Sequence, residues 1–113
     1  MKIAFTTKGK DWNSEIDERF GRTEFLVLFD EKNAVLSCID NSAVQNEAHG
    51  AGPLTAQKLL ELNPQILITG NGPGKNAAIV LETAGIEIYT GAGNMNIKEA
   101  YEAYKSKTLT KFI

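Results

Sequence analysis

The chain has one cysteine, one histidine and no long apolar run, and each shortage closes off a class of function. Cys38 alone cannot form a disulfide within the chain, nor by itself a tetrahedral zinc site or the four-thiolate cage of an ordinary iron–sulfur cluster. Any metal centre here would have few protein ligands. No stretch approaches the roughly 18 to 20 apolar residues of a membrane span, so no membrane partner is expected. The opening Met1-Lys2-Ile3-Ala4-Phe5-Thr6-Thr7 runs into Lys8 and Lys10 too soon for a secretory signal, and the expected location is cytoplasmic. Basic residues are in deficit, 12 Lys and Arg against 14 Asp and Glu for a net charge of −2. A nucleic-acid binder normally carries a basic excess or stripe, so nucleic acid is not an expected partner.

What remains is an ordinary globular composition, 42% hydrophobic and 23% charged over 113 residues. That length predicts one domain, residues 1–113, with its own core. Residues 2–7 read as a strand and 24–30 as a second, nearly continuous apolar one. The polar turn Asp30–Asn33 leads into a third strand, 34–39, to make a hairpin. Gly52-Pro53 marks a helix start with proline at the first helical position, and that helix runs to about Asn63, before Pro64. Residues 65–69 form the fourth strand. Ala77, Val80, Leu81 and Ala84 keep helical spacing, closed by Gly85, and 86–89 is a fifth strand. Asn96 and Glu99 make a capping-box start for a helix carrying Ile97, Ala100, Tyr101 and Tyr104. Lys105 to Ile113 reads as a loosely held tail.

A helix crossover makes strand five parallel to strand four, and the hairpins make strand two antiparallel to strands one and three. The predicted fold is α/β, a ribonuclease H-like three-layer arrangement with a mixed five-stranded sheet in the order 3-2-1-4-5 and three helices. With strand four parallel to strand one, the connections 8–23, 40–52, 70–75 and 90–96 open on one edge. Ligands of open α/β sheets bind at such an edge.

Several features there could carry chemistry. Gly70-Asn71-Gly72-Pro73-Gly74-Lys75-Asn76 offers backbone N–H groups, a helix start and an ammonium to an anion. It is neither a P-loop nor a dinucleotide fingerprint, because the spacing fails and Asn76 and Lys75 fall where Ser/Thr and the third glycine are needed. A tight turn is the competing reading. Arg19 and Arg22 flank Phe20-Gly21 and can grip an anion in a fork, or belong to a salt-bridged loop. His49, in His49-Gly50-Ala51-Gly52, can ligate a metal through a ring nitrogen, or be a surface turn residue. Cys38 is a candidate ligand or a small buried hydrophobe. A catalytic reading has little support. Nucleases of this topology hold two magnesium ions with acids that include one on strand one, and residues 2–7 contain no carboxylate.

Four segments in order, Asp17-x-Arg19-Phe20-Gly21-Arg22, His49-Gly50-x-Gly52, Gly70-x-Gly72-x-Gly74 and Gly85-Ile86-x-Ile88-Tyr89, give the chain a family likeness. It resembles the nitrogenase iron–molybdenum cofactor biosynthesis family from Lys2 to about Tyr104. The resemblance implies a ribonuclease H-like fold and a non-catalytic carrier of an iron–sulfur or iron–molybdenum-type cluster or its precursor, passed from donor to acceptor proteins. It raises the weight of Arg19, Arg22, His49, Gly50, Gly70, Gly72, Gly74 and Lys75. Cys38 lies outside the pattern and stays a secondary metal candidate beside His49. Two other readings stand: a binding module for a phosphate-bearing small molecule at Gly70–Lys75, and a protein-interaction adaptor.

Overall fold

The computed structural model describes residues 1–45 and 49–112. Alternation along the first strand, β1 (Lys2–Thr7), sets the layers: Ile3 and Phe5 face one side of the sheet and Ala4 the other, all fully buried. β2 (Phe25–Asp30) runs antiparallel to β1, and β3 (Val35–Asp40) antiparallel to β2 through six continuous pairs. β4 (Ile66–Ile68) lies parallel to β1 and β5 (Glu87–Thr90) parallel to β4. The predicted 3-2-1-4-5 order is present.

The sheet has a sixth strand, which corrects the expectation of a loose tail. β6 (Thr110–Lys111) pairs antiparallel with β5, and Phe112 N donates to Ile88 O at 2.7 Å. Two ladder residues are too few to leave a period in the sequence. Among the described residues the helices number four rather than three, for a similar reason: α1 (Ser42–Gln45) is short, opened by Asp40 Oδ1 accepting from Ser42 N at 2.7 Å.

α2 (Ala51–Leu62) and α3 (Lys75–Thr83) cover one face, burying Ala56, Leu59, Ala77 and Leu81 against Ala4, Leu26 and Leu67. α4 (Ile97–Lys105) covers the other, with Ile97 and Ala100 against Ile3, Phe5 and Ile68. α2 begins two residues earlier than predicted, so Pro53 is its third residue rather than its first. The first-turn N–H groups lack helical acceptors anyway, and proline is tolerated there. α3 closes as predicted on Gly85, whose φ of 79° is left-handed, with Gly85 N bonding Glu82 O and Ile86 N bonding Leu81 O.

The connections at the carboxyl ends of β1, β4 and β5 are stitched together. Asp17 N donates to Thr6 O, Asn71 N to Glu18 O, Gly91 N to Gly70 O and Ile16 N to Met95 O. The Thr6 and Thr69 hydroxyls bond each other at 2.7 Å beneath them. The connections 8–23, 70–75 and 90–96 therefore form one hydrogen-bonded platform at the edge that the strand order singled out.

Candidate functional site

Two helices start side by side on that platform. Gly50, with φ of 76°, turns the chain into α2, and an extended Gly74 turns it into α3; neither offers a side chain to cap its helix. A Cβ built on Gly52 would stand 3.5 Å from the Ala77 methyl, so the two first turns are neighbours. Their ladders begin with Leu54 N to Gly50 O and Ala78 N to Gly74 O. The N–H groups of Ala51, Gly52, Lys75, Asn76 and Ala77 precede those bonds and have no acceptor within their helices. Each first turn also carries partial positive charge. Neither contains an acid, and α3 opens on a lysine. α4 is the contrast, with Asn96 accepting from Glu99 N and the Glu99 carboxylate accepting from Asn96 N.

The loop between β1 and β2 closes onto these helix starts at a glycine. A Cβ on Gly21 would lie 2.8 Å from Gly52 N and 3.0 Å from Gly52 Cα, so only glycine permits the approach. Gly21 O accepts from Thr55 Oγ1 at 2.7 Å, and Asn41 Nδ2 bonds both Thr55 Oγ1 and Thr23 O. Phe20, 3% exposed, anchors the loop in the core. Asp17 is buried beneath it and grips Arg19 through both carboxylate oxygens, to Nε at 3.1 Å and Nη2 at 3.0 Å. Burial alone would raise the Asp17 pKa, but Arg19's hydrogen bonds and charge, with Glu24 N, outweigh it and hold the carboxyl below its ordinary range. The same bond raises the Arg19 pKa. The guanidinium, half-exposed, is thereby fixed in place.

Between these parts lies an open cavity of about 720 Å³, lined by Arg19, Gly21, Arg22, His49, Gly50 to Pro53 and Gly74 to Ala77. Among the described residues lining it are two guanidiniums, one ammonium and one imidazole, and no carboxylate. On a chain of net charge −2, this is a locally positive concavity that favours an anion.

Six of the residues singled out from sequence thus meet at one cavity: Arg19, Arg22, His49, Gly50, Gly74 and Lys75. Three do not. A Cβ on Gly70 would strike the Glu18 backbone at 2.6 Å, and one on Gly72 would strike the Phe112 ring. Those glycines admit neighbouring segments at close range. Cys38 sits opposite Val27 on β3, on the α4 side of the sheet, while the cavity lies at the starts of α2 and α3. It does not join His49, and no group of three or more His, Cys, Asp or Glu suited to a metal occurs among the described residues. Sequence reasoning missed the α2 start as a donor: Gly50-Ala51-Gly52-Pro53, free of acids, was its signal.

The chain matches the family profile described as dinitrogenase iron-molybdenum cofactor over residues 1–107. It is similar to the orange protein of Desulfovibrio gigas, solved in its apo form, at 29% identity over 97% of this chain and 91% of that one, TM-score 0.91. It is similar also to a Thermotoga protein provisionally described as NifB, at 30% identity over 97% of this chain and 91% of that one, TM-score 0.82. A further crystal structure at 19% identity, TM-score 0.75, shares the fold. No curated protein sequence matches the chain.

Proposed function

This chain belongs to the dinitrogenase iron-molybdenum cofactor family, and from that membership we propose that it carries an anionic iron–sulfur or iron–molybdenum-type cluster, or a precursor, in the cavity at the α2 and α3 starts. The observation that bears the most weight is the pair of adjacent, uncapped, acid-free helix starts, one opening on Lys75. A lysine at the positive end of a helix is electrostatically mismatched. An anion seated between Lys75, Arg19, Arg22 and the first-turn N–H groups removes the mismatch. The donor set suits a cluster that arrives with its own terminal ligands, since the cavity offers N–H groups, cations and one imidazole but no thiolate. Among the described residues lining the cavity, His49 is the one side chain suited to ligate a metal. Few protein ligands let the cargo leave again, as a carrier between donor and acceptor proteins requires. No catalytic step belongs to this reading, and its setting is the cytoplasm.

Anaerobic reconstitution with a purified iron–molybdenum-type cluster or precursor, read by absorption and paramagnetic resonance, tests it. Wild type is expected to retain the cluster. Lys75→Glu weakens retention by at least about tenfold, equivalent to ~1.4 kcal/mol, and His49→Ala alters the resonance spectrum. No retention by wild type removes the proposal, and retention unchanged in Lys75→Glu removes the helix starts from it. A phosphate-bearing ligand would use the same N–H donors, but Gly70 and Gly72, on which the phosphate reading centres, do not line the cavity. Calorimetric titration with inorganic phosphate is expected to give only weak binding.

A further inference from the structure

The two edges of the sheet are built differently. β6 is two residues long and carries Lys111, paired with Glu87, which blunts it against pairing with another strand. β3 forms the opposite edge: six residues, Val-Leu-Ser-Cys-Ile-Asp, in unbroken register with β2. It has no proline, no bulge and no lysine, and its one charge, Asp40, lies at its end and accepts from Ser42 N. Val35 is 53% exposed, Ser37 and Cys38 are exposed, and Leu36 and Ile39 are half-buried. An apolar edge of this length, with no proline, bulge or lysine of its own, is a template for a further strand.

The strand is also complementary to itself. Leu36 and Cys38 lie opposite Phe29 and Val27 on the α4 side, and Val35 and Ile39 opposite Asp30 and Leu26 on the α2 side. A second β3, antiparallel and related by a two-fold axis at Ser37, sets Val35 against Ile39 on one face and Leu36 against Cys38 on the other. Every apolar residue then meets an apolar residue or a thiol, Ser37 meets Ser37, and Asp40 faces Ala34. An axis at Cys38 would instead put Asp40 against Leu36. We propose that two copies of this chain pair edge to edge through β3, about an axis at Ser37, giving one continuous twelve-stranded sheet. The cavity is at the α2 and α3 starts, so both copies keep it open. Because the contact is essentially one strand pair, it is small, and the dimer is reversible and concentration-dependent.

Sedimentation of wild type up to several hundred micromolar, together with disulfide trapping, tests the pairing and its register. Directly opposed residues have Cα atoms about 4.5 to 5.5 Å apart, within reach of a disulfide, while diagonal neighbours at about 7 to 8 Å are not. On mild oxidation, S37C in a C38S background forms a covalent dimer, and wild-type Cys38 does so at least about tenfold more slowly. Val35→Lys, at a position exposed in the single chain, shifts the sedimentation equilibrium toward monomer without changing the thermal midpoint measured at low concentration. Wild type that stays monomeric throughout overturns the proposal, and trapping at Cys38 but not at position 37 overturns the register.

Discussion

Asp17 shows how one buried residue organises a surface site. Its carboxylate is 1% exposed and survives burial because Arg19 and two backbone N–H groups hold it, and its pKa is depressed below the ordinary carboxylate value. A group whose folded pKa is depressed contributes stability that is present above its unfolded pKa and lost as pH falls through that range toward the folded value. Asp17→Asn is therefore expected to flatten the acid side of the stability–pH profile. At neutral pH it should cost roughly 1 to 2 kcal/mol, read by urea denaturation at a series of pH values. Gly21→Ala tests the loop's seat: its methyl cannot fit against Gly52 N at 2.8 Å, so the Arg19–Arg22 loop must lift from α2. Cluster retention should fall about tenfold or more, even where the protein stays folded.

At the scale of elements, the proposed binding and the stability of α3 are set against each other. α3 opens on Lys75 with no cap, so Lys75→Glu should stabilise the ligand-free protein by about 0.3 to 1 kcal/mol through the helix dipole while weakening cluster retention. Asn96→Ala is the opposite control, costing about 1 kcal/mol through the lost α4 cap with retention unchanged. Thermal melts paired with reconstitution check both. The elements that were legible in the sequence are those with long periods or strong punctuation: β1 and β2 from their apolar runs, α3 from Ala77, Leu81 and Gly85, α4 from its capping box. β6 and α1 were not, because two and four residues carry no period. The site was half legible. Arg19, Arg22, His49 and Lys75 could be read from residue type, but the contact between Gly52 and Ala77 that joins the two helix starts spans 25 positions and exists only in the folded chain. Gly70 and Gly72 do not line the cavity, and each admits a neighbour's backbone or ring, a contact that leaves no trace in the sequence.

Across the whole molecule, a chain of net charge −2 gathers Arg19, Arg22, Lys75 and two helix starts at one edge of its sheet. The attraction proposed for an anion is thus a local field on an acidic body, and raising the salt concentration should weaken cluster retention because that field is screened. The most direct test follows backbone amide resonances of the ligand-free protein as the cluster is added anaerobically. The amides of Ala51, Gly52, Lys75, Asn76 and Ala77 should shift or broaden together at the first additions, with those of Ile97 and Lys98 at the capped α4 start unmoved. Changes that spare both the α2 and α3 starts would contradict the account.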